Sequence, residues 1–297
     1  MGKGDPGRST SRGYLYALLG AVGGGAIPTL FKILLAHNTP ASIAGPGLLL
    51  SGFALFFYKP KMNPTRQSFP FLLLIGVLGG ALATVMWATG IDETTVVNAS
   101  LLANGEILFT TLIAVFALGE RLSRFQATMG LVIVAGILIV STDLDLARVQ
   151  FFQGLMGNLL ILGATLAWGL ENNIIVAISR RFAVPMLSRY RNTIGGVLVA
   201  GFAVSTGQFL TLSAHDAVVF ALLVLAFAGT TYLFLAALQR LGAIKMILTY
   251  SVSTVLGAAL ALVVLGEQIT PAQLLGGGLI VAGVYLFRRG ERSTSVP

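Results

Sequence analysis

Three ionisable side chains interrupt long apolar runs and are the first candidates for chemistry. Lys32 lies in the outer half of the first run, Glu106 in the middle of the fourth and Glu171 toward one end of the sixth. A charge in hydrocarbon costs a few kcal/mol or more unless it is paired, hydrated or able to reach the interface. For Lys32 two readings stand side by side. It is a cavity cation that binds a carboxylate or a helix-end carbonyl, or it snorkels outward toward His37 and Asn38. Glu106 is about ten residues from either end of its run and cannot snorkel. It either pairs, with Lys32 as the candidate, or is held neutral by a proton. Glu106 and Thr110 share a helix face beside Ala99 and Ala103. That arrangement suits a proton-coupled carboxylate or a hydrogen-bonded structural one.

Glu171 belongs to a polar stretch with Thr165, Trp168, Asn172 and Asn173. An acid beside an aromatic ring suits a cationic or amine-bearing solute; the plainer alternative is hydrogen bonding between helices. Tyr250 and Thr254 share a face with Gly257 and Ala261. Thr84 and Trp87 are three residues apart, and Gly229–Tyr232 reads Gly-Thr-Thr-Tyr. Each group fits a pore wall or small-residue packing. The candidate substrate-binding set is therefore Lys32, Glu106, Trp168, Glu171, Asn172, Tyr250, Trp87 and Thr254.

These residues must be positioned by elements that suit an apolar chain. Of 297 residues, 56% are hydrophobic and only 10% charged, with a mean hydropathy of +0.88. A soluble domain of this size carries about a quarter charged residues, so the composition points to membrane embedding. A hydrocarbon core of roughly 30 Å needs about 20 apolar residues per helix. Ten such spans are predicted, at 14–36, 41–58, 69–89, 95–118, 125–141, 153–177, 185–206, 217–238, 244–265 and 271–287. Nothing alternates as a barrel strand would, and helices satisfy their own backbone in lipid. Gly23-Gly24-Gly25 and Pro28 suggest a bend in the first span.

One stretch occurs twice. Leu118–Gly136 and Leu265–Gly283 match at nine of nineteen positions, 147 residues apart. In each, a hydroxyl precedes a Gln by three residues (Ser123 and Gln126, Thr270 and Gln273), the pattern of a capping box. Pro271 follows at a first helical position, where its missing N–H is harmless. Glu120 and Glu267 are expected to cap the next helix. Five spans separate the copies, and an odd number inverts the second half in the membrane. Two inverted halves meeting near the midplane are a transporter design.

Charges give an orientation. Of 19 Lys and Arg, 17 fall on one side, including Arg189 and Arg191 around the sixth-to-seventh link. The opposite links carry Asp92, Glu93, Asp143, Asp145, Arg148, Asp216 and Glu267. The positive-inside rule then puts both termini in the cytoplasm. The net charge of +8 is scattered through short loops, so nucleic acid is not an expected partner.

At this point the chain resembles the drug/metabolite transporter superfamily, in particular the EamA-type transporters with ten helices in a five-plus-five inverted repeat. The resemblance rests on Glu106-Ile-Leu-Phe-Thr-Thr through Leu118-Gly119-Glu120-Arg121, on Gly130–Gly136, and on Leu265-Gly266-Glu267 with Gly277–Gly283. Gly20-Ala21 to Lys32 and Gly163-Ala164 to Trp168-Gly169 open the two halves. The family has Pro where Ile107 and Thr254 stand, and Trp-Gly where Gly24-Gly25 stand. The expected fold is all-α and integral to the membrane, with ten helices in two inverted repeats. The expected division is a cytoplasmic tail at 1–13, a first repeat at 14–141, an external linker at 142–152, a second repeat at 153–288 and a cytoplasmic tail at 289–297. The implied activity is secondary transport, by alternating access across the cytoplasmic membrane, of a small polar or amphipathic metabolite. Export of an amino-acid-like cargo, with protons as the candidate coupling ion, is the family-level expectation. The alternatives are a structural or signalling membrane protein or an integral-membrane enzyme. No catalytic constellation, GxxxxGK[ST] loop or Cys is present, and only His37 and His215 offer imidazoles. Neither an enzyme nor a cofactor is therefore expected.

Overall fold

The computed structural model describes residues 6–57, 66–118, 123–142, 151–178 and 182–294. Glu120, Arg121, Asp143, Asp145 and Arg148, used above to argue capping and orientation, lie outside them. Among the described residues the regular elements are all helices, namely α1 (Pro6–Leu34), α2 (Pro40–Ala54), α3 (Phe69–Ile75), α4 (Ala83–Glu93), α5 (Val96–Leu102), α6 (Gly105–Leu118) and α7 (Arg124–Thr142). There follow α8 (Phe151–Ile178), α9 (Val184–Ser205), α10 (Ala214–Leu241), α11 (Ala243–Tyr250), α12 (Val252–Leu260) and α13 (Pro271–Thr294). A π-helical segment, Gly76–Leu82, fuses α3 to α4 into one crossing, and another, Ala261–Leu265, extends α12. With α5 and α6 as one broken crossing and α11 and α12 as another, ten helices result. Six stretches are long and apolar enough to span a membrane, and three shorter apolar helices accompany them.

Both anticipated capping boxes form. Ser123 N–H donates to Gln126 Oε1 at 2.9 Å and Gln126 N–H to Ser123 Oγ at 3.2 Å. The pair recurs between Thr270 and Gln273, at 2.9 and 3.1 Å, and Pro271 opens α13. Gly266 ends the ninth crossing with φ of 66°, a left-handed conformation that costs glycine little.

The packing obeys the repeat. The third helix of each half packs on the first helix of the other: α1 lies against α10, and α4 against α8. The second helices pair as α2 with α9, and the last as α7 with α13. The fragments of the two broken crossings also meet, α5 with α12 and α6 with α11. An operation that exchanges the halves leaves this list unchanged, as two equivalent five-helix units require, and five crossings per half invert the second against the first. Glycines permit the close approaches. A Cβ on Gly45 would strike the Ala200 backbone, and one on Gly195 the backbone of Gly80.

The two breaks are also equivalents. The chain leaves α-helical geometry at Ala103-Asn104 and again at Ser251, positions that the 147-residue offset brings together. Each lies three or four residues before Ile107 or Thr254. Asn104 Nδ2 donates to Thr254 Oγ1 at 2.9 Å, tying one break to the other.

Candidate functional site

A cavity of about 160 Å³ lies between the halves, walled by α1, α2, α4, α5, α6, α8, α9, α10, α11 and α12. At roughly 10–15 Å³ per water centre it has space for about ten waters, or one small solute. Seven of the eight residues singled out above line it: Glu106, Trp168, Glu171, Asn172, Tyr250, Trp87 and Thr254.

Lys32 is absent from the wall. Its Nζ donates to the carbonyls of Ile91 at 2.7 Å, Asp92 at 3.2 Å and Thr94 at 3.1 Å. It therefore caps the C-terminal end of α4, where a cation meets the negative end of the helix dipole. The suggested pairing of Lys32 with Glu106 does not form, because Lys32 sits at the end of α1 and Glu106 at the start of α6, beside the break. A break at Ala103-Asn104 gives α6 its own N-terminus, whose positive end favours an acid in the first turn. Glu106 accepts from Asn172 Nδ2 at 2.5 Å.

The centre of the polar network is Glu171, which is buried at 2% exposure. Arg191 grips it with two nitrogens, Nε to Oε1 at 2.6 Å and Nη2 to Oε2 at 3.2 Å. Arg189 and Arg191, counted above with the cytoplasmic-side charges, fall inside the predicted span 185–206, and both lie within α9, Arg191 about two turns from its start. Pro185 in the first turn opens that helix. Arg189 is also a helix cap. Its Nη2 donates to the carbonyls of Leu55 and Phe56 at 3.1 and 3.3 Å, and its guanidinium lies 4.0 Å from the Phe56 ring centre.

The carbonyl of Gly79, inside the first π-helical segment, accepts from three side chains. These are Thr84 Oγ1 at 3.1 Å, Trp168 Nε1 at 3.3 Å and Arg191 Nη2 at 3.1 Å. The segment packs on both α8 and α9, and π-turns in helices are frequent at functional sites. Gly79 has no substitute there, since a Cβ would run into the Glu171 carboxylate. Asn173 donates across to the Thr110 carbonyl of α6 at 3.0 Å and back along α8 to that of Gly169 at 2.9 Å. Ser100 lines the cavity with a buried hydroxyl that has no partner.

Aromatic rings cover much of the remaining wall. Trp87 and Trp168 have centroids 6.4 Å apart, and Tyr250 meets Phe234 edge-on at 5.0 Å. Gly24 allows this approach, because a Cβ there would collide with the Tyr250 hydroxyl. The helix α1 continues through Gly23-Gly24-Gly25 and Pro28, and these glycines make room in turn for α10, α11 and α12.

Glu267 corrects a further expectation. Its carboxylate accepts from the N–H groups of Val96 and Val97, both at 2.9 Å, and so caps α5 of the opposite half. The next helix, α13, has its own Thr270–Gln273 box and needs no such help.

This arrangement, a largely apolar cavity with a few polar groups walled by broken helices from two inverted halves, is the layout of a membrane transporter. The EamA-like transporter family matches twice, over residues 11–142 and 155–289, and the chain belongs to that family, within the drug/metabolite transporter superfamily. It is therefore a multi-pass membrane transporter. Over 294 residues it is 25% identical to an uncharacterized transporter of Methanothermobacter thermautotrophicus, covering 92% of this chain and 85% of that one. It is 28% identical over 296 residues to a probable amino-acid metabolite efflux pump of Salmonella typhimurium, covering 94% and 95%. A probable terminal-alkyne amino-acid exporter of Streptantibioticus cattleyicolor is 27% identical over 242 residues, covering 76% and 75%. A crystal structure with 16% identity superposes with a TM-score of 0.67, covering 95% of this chain and 97% of the other, which shows a shared fold.

Proposed function

We propose that this chain is a secondary active transporter that exports a small, amino-acid-like solute across the cytoplasmic membrane by alternating access, coupled to protons. The observation that carries the reading is the cavity itself. It holds Glu106 from the first half beside Glu171, Asn172 and Arg191 from the second, in space for one small solute. Helix pairs that exchange under the repeat support alternating access, since one arrangement and its mirror open the same site to opposite sides. Two relatives named for amino-acid efflux or export support the cargo class. The excess of Lys and Arg in the links on one side supports cytoplasmic termini. Glu106 is the residue proposed to couple to protons, as a cavity carboxylate with no Lys, Arg or His within ion-pair distance among the described residues.

Purified protein in liposomes, challenged with a panel of amino acids with and without a pH gradient, tests the proposal. Flux of at least one amino acid, enhanced by the gradient, is expected. Glu106→Gln should abolish the enhancement. Absence of flux for every cargo would count heavily against transport, and unchanged coupling in Glu106→Gln would remove that residue from the mechanism.

A further inference from the structure

We infer that the cavity selects its cargo by an ammonium group, bound at Glu106 among the aromatic rings, and turns away solutes whose only charge is a carboxylate. This rests on the transporter reading and adds the charge of the group recognised. Three charged side chains line the cavity: Glu106, Glu171 and Arg191. Arg191 and Glu171 neutralise each other through their two-nitrogen contact. Arg191 also donates to the Gly79 carbonyl and to Asn192 Oδ1 at 3.2 Å. Four of the five N–H groups of a guanidinium are thus engaged, which leaves little to receive a carboxylate from cargo.

Glu106 is in the opposite condition. Its hydrogen bond comes from the neutral amide of Asn172, and among the described residues no Lys, Arg or His lies within ion-pair distance. Lys32, which could have neutralised it, is committed to the end of α4. Two carboxylates thus share one guanidinium, and the cavity carries a net negative charge whenever Glu106 is ionised. Around it the wall presents Trp87, Trp168, Phe227, Phe234 and Tyr250. Aromatic faces are negative and attract ammonium groups, while they repel anions. A zwitterion would be held by its ammonium end, with the unpartnered Ser100 hydroxyl available to its other end.

The test uses a feature of this chain. It has two tryptophans, Trp87 and Trp168, and both line the cavity, so the intrinsic fluorescence of the purified protein reports on this site. Butylammonium and pentanoate carry similar alkyl bodies and opposite charges. Butylammonium is expected to change the emission saturably, at a half-saturation at least about tenfold below that of pentanoate. Glu106→Gln should raise that half-saturation by roughly tenfold or more, and Glu106→Asp by less. Equal binding of pentanoate and butylammonium would overturn the inference. So would wild-type butylammonium binding by a Glu106→Gln protein with a folded elution profile. If that variant does not fold, the comparison of the two probes on the wild-type protein still decides. Amino-acid flux in liposomes without any charge preference in the titration would overturn this inference and leave the transporter reading intact. Charge-selective binding without flux would do the reverse.

Discussion

Arg191 and Glu171 meet through two nitrogens and two oxygens, at 2.6 and 3.2 Å, with side-chain exposures of 13% and 3%. The contact joins α8 to α9 beside the π-helical turn at Gly79. Two charges removed from water repay their desolvation only with such geometry, and losing one partner leaves the other stranded.

Single changes at this pair should therefore be severe. Arg191→Leu and Glu171→Leu are each expected to lose about 3–5 kcal/mol of stability, while the double variant recovers most of the loss. Thermal unfolding of the detergent-purified proteins measures this. Additive losses in the double variant would show that the two residues do not act as a pair.

Gly79→Ala should be as damaging as either single change. The added methyl has no room beside the Glu171 carboxylate, and displacing that carboxylate breaks its contact with Arg191. Sharply reduced recovery of folded protein is expected. Gly229→Ala, where a Cβ meets nothing within 4 Å, is the matched control and should be tolerated.

Lys32 and Glu267 should affect stability without touching cargo affinity. Lys32→Met leaves the end of α4 without its cation and should cost about 1 kcal/mol. Glu267→Ala strands two N–H groups at the start of α5 and should cost about 1–2 kcal/mol. Fluorescence titration with butylammonium should give wild-type half-saturation for both. A changed half-saturation in Lys32→Met would return that residue to the binding site.

The orientation is testable because the chain contains no cysteine. Single cysteines at His215 and at Arg66, both exposed, report on opposite faces. A membrane-impermeant thiol reagent applied to intact cells should label the cysteine at position 215 and spare that at position 66. The reverse pattern would invert the proposed topology.

Much of the architecture was legible in residue patterns. The two capping boxes and the inverted repeat are short-range or periodic signals, and each appears where the pattern put it. The cavity set was also largely legible, because a polar residue in an apolar run has few places to go. A helix-end carbonyl was one partner open to Lys32, and the span 185–206 already held Arg191, but the pattern did not choose their partners. A long basic side chain can reach a loop, a helix end or a buried acid from similar positions in the chain. Its choice depends on which acceptors lie nearby, and these come from residues distant in the sequence. Arg191 was counted with the link charges, and its pairing with Glu171 needed α8 and α9 to pack together.

The amino-acid sequence by itself determined that this is a ten-helix membrane protein built from two opposed copies of one unit. Hydrophobic length and internal repetition are properties of the chain and survive without coordinates. Only the tertiary structure decided which charges neutralise one another and which remains alone in the cavity. Ion pairing falls off within a few ångströms, and helices far apart in the chain had to pack before those distances existed.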